Sequence, residues 1–197
     1  MNTKAYIERE KFRCVLEMSF DPIVGYERKI ATLLAAGLTR DAAEIVAGMK
    51  PTNLLDSEKI ERSLAYTFDV ARMGAYVEGR FNTSTIAALY TGSDPDCAMA
   101  ERRHHWSSSQ DPAFVVFTIK FTGVARDIRA EIDDGTLPFP EDHKVCQTYA
   151  ADAVASRLAG IAAPSKRHTG SSCCAIFEIS SVKVGSVVLI SKFAGVS

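Results

Sequence analysis

The chain predicts an α+β fold built around a mixed β-sheet, and three observations carry that expectation. The first sixty residues place apolar side chains at helical spacing, punctuated by Asp21-Pro22, Gly37, Gly48 and Pro51. From about residue 64 the apolar residues gather in short runs, and Ala113 to Phe121 is the clearest strand. Few helical stretches lie between those runs, as in an α+β core. At 197 residues, 47% hydrophobic and 24% charged, the chain suits one domain, or one domain with a helical appendage. The expected division is a helical N-terminal extension over 1–60 and a sheet domain over 61–197.

In order along the chain, Ile7, Phe12, Val15, Leu16 and Met18 fall mostly on one face of a first helix that stops before Asp21-Pro22. A second helix covers about Tyr26 to Ala36 and ends at Gly37, a natural residue for a left-handed helix terminus. Thr39 then caps a third, whose early Asp41 suits the helix dipole and which ends near Gly48. Asp56-Ser57-Glu58-Lys59 opens a short fourth helix. Leu64 to Val70 and Ala87 to Tyr90 read as strands. Asp94-Pro95-Asp96 supplies the turn and cap for a helix over Asp96 to Trp106. The two prolines of Gly135 to Pro140 exclude a strand there. Val145 to Leu158 reads as a helix, and Ala175 to Ile179 and Ser186 to Ile190 as further strands.

Composition narrows the function. A net charge of −1 argues against a duplex-binding protein, which concentrates positive charge to displace counterions. The basic clusters Arg102-Arg103-His104-His105 and Lys166-Arg167-His168 suit a small phosphorylated ligand, not a nucleic-acid track. Five cysteines, Cys14, Cys97, Cys146, Cys173 and Cys174, form no C-x-x-C pair and no zinc-finger spacing. Their odd number suits reduced thiols in a cytosol, so a cytoplasmic location is expected, with delivery as an effector as the alternative route there. No run approaches the length of a membrane span, and no signal-peptide core follows Met1-Asn2-Thr3-Lys4. The four histidines show no metal-ligand spacing, so no metal is expected.

Four short segments carry chemistry. Gly79-Arg80-Phe81-Asn82 puts a guanidinium in a turn, either as a plain surface arginine or as a fork for phosphate oxygens. Tyr90, in Ala88-Leu89-Tyr90, is either a core tyrosine or a ring to stack on a ligand. Glu101, in Cys97-Ala98-Met99-Ala100-Glu101-Arg102, is either a surface ion pair or an inward carboxylate, costly unless used. Ser165, in Ala163-Pro164-Ser165-Lys166-Arg167, is placed at a strand end, with no G-x-S-x-G around it to make it an acyl-transfer nucleophile. Its hydroxyl either binds a phosphate or ribose oxygen or serves an ordinary loop.

Taken together and in this order, the four segments resemble the RES domain, a family of bacterial NAD-consuming toxins. The resemblance runs from about Val70 to the C-terminus. It matches Arg80 to the arginine of a G-R-[FW]-N turn, Tyr90 to the tyrosine of an L-Y strand, Glu101 to the glutamate of an A-x-x-E helix and Ser165 to the serine of a P-S-x-R segment. The family's further arginine, upstream and usually in a strand, falls on Arg72, with Arg62 as the alternative.

The resemblance implies a core similar to that of ADP-ribosyltransferase toxins and NAD as substrate, with no other cofactor. It implies Glu101, Arg80 and Ser165 as catalytic groups and Arg72, Arg80, Tyr90 and Ser165 as NAD contacts. The reaction it implies is cleavage of the nicotinamide–ribose bond, with water or phosphate as acceptor. A protein acceptor, or a binding module without turnover, is the competing reading. A cognate antitoxin or immunity protein is the implied partner. The N-terminal helices, which lie outside the resemblance, are expected to stand apart from the pocket.

Overall fold

A computed structural model describes residues 9–69, 79–104, 113–133, 135 and 143–192 of the chain. Its strands are β1 (Arg9–Leu16), β2 (Leu89–Gly92), β3 (Ala113–Phe121), β4 (Ala125–Asp127), β5 (Gly160–Pro164), β6 (Ser172–Ile176) and β7 (Val182–Lys192). They form one seven-stranded sheet in the order β4-β5-β6-β2-β1-β3-β7. The β4–β5 pair is parallel and every other pair antiparallel, so the sheet is mixed, as expected. In β3 the side chains of Phe114, Val115, Val116, Phe117, Ile119 and Phe121 are all buried. A strand apolar on both faces must be covered from both sides.

Helices supply the two covers. On one face, Phe20 of α1 (Glu17–Phe20) joins Ile60 and Leu64 of a later helix, Asp56–Phe68, over Val115, Phe117, Ile119 and Phe121. The Phe20 and Phe117 rings stack at 5.7 Å. Between these two helices run α2 (Pro22–Ala35) and α3 (Arg40–Ala47), so Asp56–Phe68 is α4. Asp21 caps α2 by accepting from the Ile23 and Val24 amides, and Lys59 of α4 reaches the same carboxylate at 2.7 Å. Thr39 caps α3, and Gly48 closes it with φ 85°. Those two expectations hold.

The other face is covered by α5 (Pro95–His104) and, after the short α6 (Arg129–Asp133), by α7 (His143–Ala155). Ala98 of α5 packs on Cys14, Phe114 and Val116. Cys146, Ala150 and Ala153 of α7 pack with Ile161, Ala163 and Ala175. Small residues on α7 let its backbone lie close to the sheet.

Two elements depart from the sequence reading. The expected first helix is the strand β1, paired with β3 along its whole length from Arg9↔Phe121 to Leu16↔Phe114. Phe12, Val15 and Leu16 satisfy a helical spacing over so short a run. The alternation of Phe12, Cys14 and Leu16 on one face with Val15 on the other is the pattern the sheet selects. The N-terminal sixty residues therefore supply a strand in the middle of the sheet as well as helices. The expected strand from Leu64 is instead the second half of α4, because Ile60, Leu64 and Phe68 share one helical face against the core. Val70 lies outside the described residues, as do Trp106 and residues 136–140.

The remaining boundaries move only slightly. The strand expected at Ala87 begins at Leu89, and the one expected from Ala175 to Ile179 runs from Ser172 to Ile176. Ile179 begins a 3-10 turn instead.

Candidate active site

The site grows from the register of three strands. Tyr90 of β2 stands opposite Ala175 of β6, which stands opposite Ile161 of β5. Two residues along, Gly92, Cys173 and Ala163 are aligned in the same way. Side chains two apart on a strand share a face, so Tyr90 and Cys173 project to the α7 side of the sheet. At Gly92 the α5 helix rests directly on β2. A Cβ there would come within 2.6 Å of the Ala98 amide nitrogen, so only glycine permits this approach.

Asp94 fixes where α5 begins. Its Oδ1 accepts the Cys97 amide at 2.7 Å, and its Oδ2 accepts the hydroxyls of Ser93 at 2.8 Å and Ser171 at 2.7 Å. Desolvation pushes the Asp94 pKa up, but the Cys97 amide and the Ser171 and Ser93 hydroxyls outweigh it and hold the group below its ordinary value. One carboxylate thus caps the helix and ties it to the loop after β5.

Less than two turns on from that cap, Glu101 meets the same loop. Its Oε1 accepts the Ser165 hydroxyl at 2.7 Å and the Cys173 thiol at 3.4 Å. The Ser165 oxygen in turn accepts the backbone amides of Arg167 at 3.2 Å and His168 at 3.0 Å. One donor and two acceptor sites are the full capacity of a hydroxyl. Ser165 is therefore occupied in orienting Glu101, with no capacity left for a ligand in this arrangement. Among the described residues nothing donates to Glu101 Oε2. The carboxylate is held by one oxygen and open at the other.

A second cluster forms around Tyr90. Its hydroxyl accepts the Phe81 amide at 2.7 Å and donates to Asn82 Oδ1 at 2.9 Å. Burial pushes its pKa up to about 12, so it keeps the proton it donates. A Cβ at Gly79 would collide with the Asn82 side chain and approach the Tyr90 hydroxyl to 2.9 Å, which is why glycine precedes Arg80. Gln147 of α7 closes the turn, donating to the carbonyls of Gly79 at 3.1 Å and Asn82 at 3.3 Å. The Arg80 turn is thus fastened to the face that carries Glu101.

Of the sequence-derived candidates, Glu101 and Ser165 are in direct contact, and Tyr90 holds the turn that bears Arg80. Arg72 lies outside the described residues. Arg62 does not join the site: it is exposed on α4, beside Met18, Tyr26 and Lys29 on the opposite side of the sheet.

The structure adds a residue the sequence reading passed over. Arg13 of β1 donates from Nη1 to the Tyr90 carbonyl at 2.8 Å, where β1 and β2 pair only at Phe12↔Gly92. Burial, followed by the nearby Arg102 charge, lowers its pKa to about 10. Among the described residues, the buried Nε atoms of Arg13 and Arg102 have no hydrogen-bond partners. The helical spacing of its segment predicts a helix where the structure has β1, so nothing in the sequence aims Arg13 at the site.

Residues 58–192 match the RES domain family model. The chain belongs to the RES domain family. Among solved structures, a chain of the M. tuberculosis MbcT–MbcA toxin–antitoxin complex aligns at a TM-score of 0.47 with 16% identity. That alignment covers 64% of this chain and 75% of that one. No curated protein matches the sequence. The RES match begins within α4, so β1 and its Arg13 precede the matched segment.

Proposed function

We propose that this RES-domain protein consumes NAD by breaking the bond between nicotinamide and ribose. The observation that carries the reading is Glu101, anchored through Oε1 by Ser165 and open at Oε2, on the sheet face that also carries the Arg80 turn. In the reaction the C1′–N1 bond breaks and its electron pair passes to the pyridinium nitrogen. Nicotinamide leaves neutral, without a general acid. C1′ becomes oxocarbenium-like, and a fixed carboxylate is the group that stabilises such charge.

An oxygen of water or phosphate then bonds to C1′; with water, one proton is released. Arg80 and Arg13 are the cations suited to the pyrophosphate, since a planar guanidinium grips two oxygens at once. Arg13, upstream and in a strand, fits the role that the resemblance places on Arg72. Tyr90 supplies its ring to the pocket wall and its hydroxyl to the turn. Ser165 positions Glu101.

A cognate antitoxin or immunity protein that covers this pocket, and action in a cytoplasm, belong to the same reading. The five cysteines, all free, support a reducing compartment. The test is to incubate the purified protein with NAD, with and without phosphate, and to separate the products. Nicotinamide with ADP-ribose marks hydrolysis; nicotinamide with a phosphorylated ADP-ribose marks phosphorolysis. Labelled ADP-ribose on a protein marks transfer. Intact NAD after prolonged incubation overturns the proposal.

A further inference from the structure

Cysteine 173 lies beside the carboxylate of the candidate site and also beside a second thiol. Its sulfur stands 3.9 Å from that of Cys97 and 3.4 Å from Glu101 Oε1. The two thiols come from different elements, the first turn of α5 and the start of β6. The adjacent Cys174 is not the partner, because successive strand residues point to opposite faces. Cys174 packs in the core beneath α4, with Val15 and Ile176.

We propose that Cys97 and Cys173 form a modification site, closing to a reversible disulfide under a two-electron oxidant such as a peroxide or a diazene. The mechanistic consequence rests on the NAD-cleavage reading given above. Access and reactivity are divided between the two. Cys173 is partly exposed and Cys97 fully buried, so the reagent meets Cys173 first. The hydrogen-bonding contact with Cys173, against the opposing effect of burial, lowers the Cys97 pKa to about 7, while that of Cys173 is pushed up. Cys97 is then the thiolate that resolves the adduct.

With a diazene, the Cys173 S–H adds across the N=N bond to give a sulfenyl hydrazine. Cys97 sulfur attacks the Cys173 sulfur, the S–N bond breaks, and the hydrazine leaves with the second proton. Two thiols lose two electrons and two protons, and the diazene gains them. The sulfurs need to approach from 3.9 Å to about 2 Å, a movement within reach of side-chain rotation. The disulfide removes the Cys173 S–H that Glu101 accepts and pins α5 to β6 beside it. Losing one hydrogen bond to a charged group corresponds to about a tenfold fall in NAD consumption.

The experiment treats the full chain with diamide, alkylates the remaining thiols, and maps the peptides by mass spectrometry before and after dithiothreitol. The expected result is a linked Cys97–Cys173 peptide two hydrogens lighter, reversed by the reductant. NAD consumption should fall with its formation, and Cys97→Ser should abolish the linked peptide. Both cysteines recovered fully alkylated, or joined to other partners only, would overturn the proposal. A linked peptide with unchanged NAD consumption would overturn its influence on Glu101. Absence of NAD consumption in the reduced protein would refute the NAD reading alone, and the linked peptide would still decide the disulfide.

Discussion

Replacing Glu101 by glutamine isolates one atom of the site. Both donors to this side chain among the described residues, the Ser165 hydroxyl and the Cys173 thiol, converge on Oε1. An amide can keep its oxygen there and place its NH2 where Oε2 stood, a position that accepts no hydrogen bond among the described residues. The fold thus loses no required acceptor, and we expect thermal stability to change by no more than about 0.5 kcal/mol, the range of a tolerated substitution. On the proposed NAD-cleavage reading, the transition state loses the charge that faces C1′. Fixed groups of this kind contribute roughly 3–4 kcal/mol, which is about two to three powers of ten in rate. The assay is single-turnover NAD cleavage at saturating NAD, with a melting curve on the same preparation. Equal rates for wild type and Glu101→Gln would refute the argument and leave Glu101 as a structural partner of Ser165.

Tyr90→Phe strips the Phe81 amide and the Asn82 side chain of their shared partner. It should cost about 1–3 kcal/mol in urea unfolding, and an unchanged midpoint would show that water replaces the hydroxyl. Asp94→Ala removes the cap of α5 and should cost about 1 kcal/mol near neutral pH. Because the folded Asp94 pKa lies below its ordinary value of 3.8, this contribution is complete above that value and is lost as pH falls through the lower folded pKa. The gap between wild type and variant should therefore close in strong acid, and a gap that persists at the lowest pH would refute the linkage. A chain starting at Ser57 lacks β1 from the middle of the sheet and should give a circular dichroism spectrum without a cooperative melt. A cooperative transition from that truncation would show that β3 and β2 can close on each other without it.

Short-range chemistry was legible wherever it dominates. Asp94 as a cap, Thr39 before α3, Gly48 after it and the unbroken apolar run of β3 all act within a few residues of themselves. So do the spacings that mark the four site segments, and the RES match spans all of them. The choice between helix and strand at Arg9–Leu16 was not local. Eight residues satisfy either period well enough, and pairing with β3, a hundred residues away, decides between them. At Leu64 the decision went the other way, because the sheet offered its face to Ile60 and Leu64 and not an open edge.

What the sequence determined by itself is the class of fold and the identity of Glu101, Ser165, Tyr90 and Arg80 as candidates, since local composition and order carry both. Only the tertiary structure decided their division of labour. Ser165 turns out to be saturated by Glu101 and two backbone amides, and the Tyr90 hydroxyl by the turn that bears Arg80. Arg13 and the Cys97–Cys173 contact likewise join residues 76 or 77 positions apart in the chain. Strand register and the seating of α5 at Gly92 create those contacts. A hydrogen bond depends on distance in space, and sequence spacing fixes that distance only within a single element.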